Sequence, residues 1–444
     1  MERSRWFRGH RVDLAISALA VSGLLSIGVG ASAARTDAQS DTLTISMLIT
    51  VNSKPAWDVL IPSFERAYPN LRVDITYAKD NTTLYQLETT ELAGGNAPDI
   101  LTASPGCGTP IAICTLAKAG YLAGMPNKPW AKKTRAVPLV TGYAKYGQRL
   151  FGFVPQVAPT GIFTNDSLFR RLGLKIPGTF PQLLDVCRKA KAAGGPAAVI
   201  VAGGTSTIAR LLIETFALPG VYAKDKRWTA KLKAGKVTFA GSRAWHQALQ
   251  HFIDMNSAGC FQPGALANSS GAVAAGLFAQ GQGLMLFLTS NNEGLIGAAS
   301  PQFSYSFHPF PAGTSPTQTT PLISLLLALS VNARSSAEHQ AAAQTFIDFI
   351  GRPQQNALLT RISGGLSQYQ LKQSQLKKGQ LPRFMSSFKT VFAKQRYVIN
   401  PYLNWWNAST LKALQDNQIG LITGQRSIDE VLKAMDAAWQ LGPE

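Results

Sequence analysis

Leu43-Thr44-Ile45-Ser46-Met47-Leu48-Ile49 reads as an apolar strand, and the run of helix, strand, helix and strand after it decides the fold. Trp57, Leu60, Ile61, Phe64, Ala67 and Tyr68 recur at helical spacing, and Pro62 among them implies a kink or a later start. Leu71, Val73, Ile75 and Tyr77 then alternate as a half-buried strand. Leu84 to Ala93 reads as a helix ended by Gly94-Gly95, and Pro98 to Thr102 as a third strand. Strands alternating with helices predict a parallel α/β sheet.

Working outward, the same grammar continues. Thr179 is placed to cap a helix with Phe180, Leu183, Leu184 and Cys187 on one stripe. Trp245, Ala248, Leu249, Phe252 and Met255 form another stripe, stopped by Gly259. Ser335-x-x-Glu338 and Ser427-x-x-Glu430 read as capping boxes before two further helices. Leu322 to Val331 reads as one buried strand, too short to span a bilayer. The pair Glu88 and Glu91 reads as a solvated helix face.

Toward the N-terminus, Arg3, Arg5, Arg8 and Arg11 precede the uncharged run Leu14 to Gly30, which ends in Ala31-Ser32-Ala33. That order predicts a signal peptide over residues 1–33, cleaved before Ala34, and an extracytoplasmic or periplasmic protein. The 444 residues are 45% apolar and 15% charged, which excludes a disordered chain and allows large cores. With 43 basic against 24 acidic residues the net charge is +19. The basic residues are scattered, with clusters at Lys224 to Lys236 and Lys372 to Lys378 and no aromatic-basic motif, so nucleic acid is not expected as a partner. The excess does keep an anionic ligand open.

Cys107, Cys114, Cys187 and Cys260 suit an oxidising compartment and allow three pairings. No metal-ligand spacing occurs, so neither metal nor cofactor is expected. The five histidines form no catalytic pattern, and Gly203-Gly204-Thr205-Ser206 lacks the lysine of a phosphate loop. A secreted glycoside-active enzyme is therefore the lesser alternative, and no catalytic residue is assigned.

Several blocks together resemble the family 1 extracellular solute-binding proteins, the sugar-binding proteins of ABC importers. They are Phe64-Glu65 through Pro69, Gly95-Asn96-Ala97-Pro98-Asp99-Ile100, and Phe151-Gly152-Phe153-Val154-Pro155. Phe163-Thr164-Asn165-Asp166-Ser167-Leu168-Phe169 comes next, with Thr164 where the family has Tyr. Phe278-Ala279-Gln280-Gly281-Gln282-Gly283-Leu284-Met285, Ala341 to Ser363 and Gly424 to Trp439 complete the order.

The resemblance implies an α/β, two-lobed periplasmic-binding-protein fold of type II, with a ligand cleft between lobes joined by crossing hinge segments. Its block positions imply lobe one at 41–158 plus 322–372 and lobe two at 159–321 plus 373–444. It implies a monomer that captures a mono- or oligosaccharide and delivers it to ABC importer membrane subunits. The alternative is a sugar phosphate or glycerol phosphate as ligand. By position, the family's contacts fall on Asn52 and Ser53, Ser104, Gln156 to Thr160, Asn291 and Asn292, and Tyr402 with Trp405 and Trp406. Amides and hydroxyls suit paired sugar hydroxyls. The adjacent Trp405 and Trp406, read as helical, are expected to point apart, one into the core and one toward the cleft as a platform. Cys107 and Cys114 share one loop region, and Cys187 and Cys260 share lobe two. The expected bridges are therefore Cys107–Cys114 and Cys187–Cys260.

Overall fold

The computed structural model describes residues 42–125, 130, 142–203, 206–265, 267, 270–371, 381–394 and 396–443. The leader with its cleavage signal and the Lys372 to Lys378 cluster lie outside these residues. The strands in chain order are β1 (Leu43–Thr50), β2 (Leu71–Ala78), β3 (Ile100–Ala103), β4 (Lys145–Tyr146), β5 (Arg149–Leu150), β6 (Gln156–Asn165), β7 (Ala197–Ile200), β8 (Gly283–Thr289), β9 (Tyr305–Pro309), β10 (Leu322–Leu325), β11 (Ala328–Val331), β12 (Leu366–Ser367) and β13 (Val398–Ile399).

One sheet has the order β11-β3-β1-β2. β1 runs parallel to β2, with Leu43 opposite Leu71, and parallel to β3, with Met47 opposite Ile100. β11 closes the other edge antiparallel to β3. The larger sheet has the order β13-β10-β6-β8-β7, with β9 and β12 also on β6. Its central strand β6 is antiparallel to β8, β9, β10 and β12, so parallel pairing extends only to β7 with β8 and β10 with β13. Alternation of strand and helix predicts parallel neighbours only where each helix returns the chain in the same direction. The long connections around β6 do not.

Helix Lys54–Ala67 runs through Pro62. Pro62 is exposed, so the carbonyl it leaves without a helical donor faces water. Its buried stripe, Trp57, Leu60 and Phe64, packs on the first sheet, and Phe64 meets Phe346 edge to face at 4.9 Å. β6 is buried on both faces: Ile162 packs in a cluster with Cys187, Trp245 and Met435, and Phe163 packs in the opposite one with Phe278 and Phe307. Both expected cysteine pairs are bridged, Cys107 to Cys114 and Cys187 to Cys260.

Two of the crossings between the sheets lie side by side. Phe153 and Leu329 exchange backbone hydrogen bonds of 2.9 Å, and the Leu326 N–H donates to the Gln156 carbonyl at 3.1 Å. The expected single strand over Leu322 to Val331 is thus two strands in different sheets, with Leu326 and Leu327 carrying the chain across. The chain changes sheets at 153–156 and 325–328, and again between β11 and β12, which pairs with β6.

Two polar readings are corrected. The helix Ala337–Ile350 is capped by Ser336, whose hydroxyl accepts the His339 N–H. Ser335 instead donates to Asp99 at 2.8 Å. Asp99 also accepts the Ser46 N–H at 2.9 Å and pairs with His339 at 3.1 Å. Burial pushes this carboxyl up, but the hydrogen bonds from Ser46, His339 and Ser335 outweigh it and hold it below its ordinary range. Glu88 is not solvated. It is fully buried on the inner face of helix Asn81–Gly94, where it accepts the Thr102 N–H at 2.9 Å. Burial pushes its pKa up to about 8 against the opposing Thr102 bonds. A raised folded-state pKa stabilises the fold at low pH, and that stability is lost as pH rises from the unfolded carboxyl's range to about 8. Denaturation of wild type and Glu88→Gln at several pH values should show a wild-type decline absent from the variant, with a slope of up to roughly 1.4 kcal/mol per pH unit. Parallel curves for the two proteins would refute this assignment.

Candidate functional site

A cavity of about 180 Å³ lies where both sheets and the two adjacent crossings meet. β1 ends in a single tight turn, Val51–Ser53, which sets Asn52 and Ser53 on its wall before helix Lys54–Ala67 begins. β8 ends the same way in the turn Ser290–Asn292, which brings Asn291 and Asn292 to the wall from the other sheet. Ser104 arrives from the end of β3, Gln156 from the start of β6, and Tyr402 from the segment after β13. The cavity therefore gathers Asn52, Ser53, Ser104, Gln156, Asn291, Asn292 and Tyr402.

Three expected residues are elsewhere. Thr160 is buried within β6 and does not reach the cavity wall. Trp405 is fully buried between Phe239 at 5.3 Å and Trp245 at 6.4 Å. Trp406 stacks on Trp439 at 4.5 Å, and its indole N–H donates to the Trp439 carbonyl at 3.0 Å. The expectation of a Trp platform is corrected on this geometry. The backbone at Trp405 is extended, not helical, so successive side chains point to opposite sides, and both sides here are packed.

The sequence reading missed Trp57, Tyr85, Arg210 and Asn400, which complete much of the wall. Trp57 and Tyr85 sit inside helices, where a helical stripe reads as core. Arg210 lies in helix Ser206–Gly220, four residues before Glu214, and that spacing was the available signal. Arg210 and Glu214 are ion-paired and almost fully buried. Burial works against the Arg210 charge, but Glu214 outweighs it and keeps the guanidinium protonated. The guanidinium lies over the Tyr402 ring, 4.6 Å from its centre. Burial raises the pKa of both Tyr85 and Tyr402, and both hydroxyls hydrogen-bond with Ser104.

Six buried polar atoms of the described wall residues have no hydrogen-bond partner: the side-chain oxygens of Asn52, Asn291, Asn292 and Asn400, the indole N–H of Trp57 and the Nε of Arg210. The orientation of Asn292 is fixed, because its Nδ2 donates to the Thr289 carbonyl at 3.1 Å and hydroxyl at 3.0 Å. Buried polar groups are commonly satisfied, and the gathering of these atoms on one cavity wall makes it the candidate ligand site. Four acceptors and two donors suit a molecule rich in hydroxyl groups, which both donate and accept. The charged side chains on the wall are Arg210, already neutralised, and Asp80. Lys224, Lys226 and Lys233 line a different cavity, of about 1180 Å³.

Among the described residues no helix is long and apolar enough to cross a membrane. The multiple sugar-binding protein of Streptococcus mutans is 27% identical over 186 residues, a match covering 40% of this chain and 41% of that protein. A solute-binding protein of an ABC transporter from Thermotoga lettingae, bound with α-D-tagatose, superposes with a TM-score of 0.72 at 19% identity, over 90% of this chain and 99% of its own. A sugar transporter protein of Bacillus licheniformis in complex with stachyose gives 0.67 at 15% identity, over 90% and 100%. These likenesses establish the two-lobed α/β fold with a cleft between the lobes. The model of the bacterial extracellular solute-binding proteins matches residues 50–357, well over half of the chain, and the chain belongs to that family.

Proposed function

We propose that the protein is the exported substrate-binding component of an ABC importer. It takes a small neutral carbohydrate into the cavity and delivers it to the importer's membrane subunits. Family membership and the sugar ligands named for the relatives support the class. The observation that carries the chemistry is the set of unpartnered amide oxygens of Asn52, Asn291, Asn292 and Asn400. Each can accept a hydrogen bond from a hydroxyl, whereas the oxygens of an ionised phosphate group offer no proton and are repelled by these acceptors. Asp80 on the wall and the neutralised Arg210 weigh further against a sugar phosphate or glycerol phosphate. The role is capture without chemistry, by a monomer freed of residues 1–33. Lobe one is built on the first sheet and lobe two on the larger one, and the lobes hinge where the chain passes between the sheets. Contacts from both lobes stabilise the closed state.

A thermal-shift panel of hexoses, pentoses, disaccharides, raffinose, hexose phosphates and glycerol phosphate tests this, because a bound ligand raises the unfolding midpoint. Neutral sugars are expected to raise it and phosphates to leave it unchanged. Asn292→Ala, read by calorimetry against the best sugar, should cost roughly 1–3 kcal/mol of binding. Stabilisation by the phosphates alone would overturn the neutral-sugar reading.

A further inference from the structure

The loop after β3 is closed twice. The Ser104 N–H donates to the Ile111 carbonyl and the Ile113 N–H to the Ser104 carbonyl, both at 2.9 Å. The Cys107–Cys114 bridge closes it again, with the Cα atoms 5.0 Å apart. Its tip, Gly106-Cys107-Gly108, is pressed on the backbone of Tyr402 and Leu403. The Cys107 N–H donates to the Leu403 carbonyl at 3.1 Å. A Cβ on Gly106 would overlap the Leu403 carbonyl oxygen, and a Cβ on Gly108 that of Tyr402.

The partner segment belongs to the other sheet. β13 pairs with β10, and the Asn400 N–H donates to the Ile323 carbonyl at 3.0 Å. The contact thus ties the end of β3 to the end of β13, and both ends carry cavity residues: Ser104 on one, Asn400 and Tyr402 on the other.

We infer that the disulfide-closed loop is an interlobe latch that positions Asn400 and Tyr402 over the ligand, with Gly108 the residue whose missing side chain lets it seat. The inference rests on the reading of the cavity as a sugar site. Gly108 lies outside the left-handed region, so alanine there is opposed only by the docked carbonyl. Gly106, with φ +82, would be strained by a side chain in any case and is the poorer test.

Gly108→Ala and the double variant Cys107→Ser/Cys114→Ser are compared with wild type. The ligand is the panel sugar that raises the wild-type midpoint most. The expected result for Gly108→Ala is an affinity at least about tenfold weaker, with the ligand-free unfolding midpoint within about 2 °C of wild type. The double variant should lose affinity in the same direction. Hydrogen exchange over residues 104–108, which needs no ligand, should quicken in Gly108→Ala. Unchanged affinity, unchanged exchange, or a midpoint that falls in step with affinity would each overturn the latch, the last by making the contact a plain part of the core. Should no sugar bind wild type, the sugar reading fails, and the exchange arm still decides the latch.

Discussion

Glu214→Ala should lower the unfolding free energy by about 3–5 kcal/mol, because it strands a buried guanidinium. Arg210 and Glu214 have side chains 4% and 1% exposed, so both are almost wholly withdrawn from bulk water. The double variant Arg210→Met/Glu214→Leu, which removes both charges and keeps the volume apolar, should recover most of that loss. The single variant should also acquire an affinity for small anions, since Arg210 faces the cavity with nothing to neutralise it. Phosphate is expected to raise the Glu214→Ala midpoint and leave the wild-type midpoint where it is. Equal stability of Glu214→Ala and wild type in urea titrations would show that the pair is not the anchor its burial makes it.

The second large effect belongs to the bridge from Cys187 to Cys260. Its sequence separation is 73, against 7 for Cys107–Cys114. In the chain-entropy account, closing the longer loop restrains the unfolded chain by about 4 kcal/mol and the shorter by about 2. Cys187→Ala/Cys260→Ala should therefore lose about 4 kcal/mol under oxidising conditions. A dithiol reductant should remove most of the difference by bringing wild type down to the variant. Both sulfurs are buried, so some loss from poorer packing adds to this. A variant as stable as oxidised wild type would contradict the assignment.

The first sheet was legible because its signals are local. β1, β2 and β3 alternate with two helices of ordinary length, and Thr179 and Ser427 cap where their spacing says. The pairing around β6 was not legible, since its partners lie more than a hundred residues away and no local pattern names them. The turn residues Asn52, Asn291 and Asn292 came from the positions of the family's blocks, and each turn follows directly on a strand. Arg210 and Tyr85 could not, since a side chain inside a helix declares its face but not its neighbour. Ser335 and Ser336 differ by one position, and only the competing demand of Asp99 for a donor decides between them. Trp405 and Trp406 went astray at one backbone angle, the extended ψ of 152° at Trp405.

Sheet closure also has a clock. β3 ends at Ala103, and its edge partner β11 begins at Ala328, so the chain between them must be made before the first sheet is whole. At synthesis rates of about 5–20 residues per second, that interval lasts roughly ten to fifty seconds. Throughout it the nascent chain carries an apolar strand with one unpaired edge, an invitation to any chaperone that binds extended segments. Completing the second lobe takes longer still, because its core draws on Val431, Met435 and Trp439 at the far end. The second lobe's core therefore closes only after helix Ile428–Trp439 has been made.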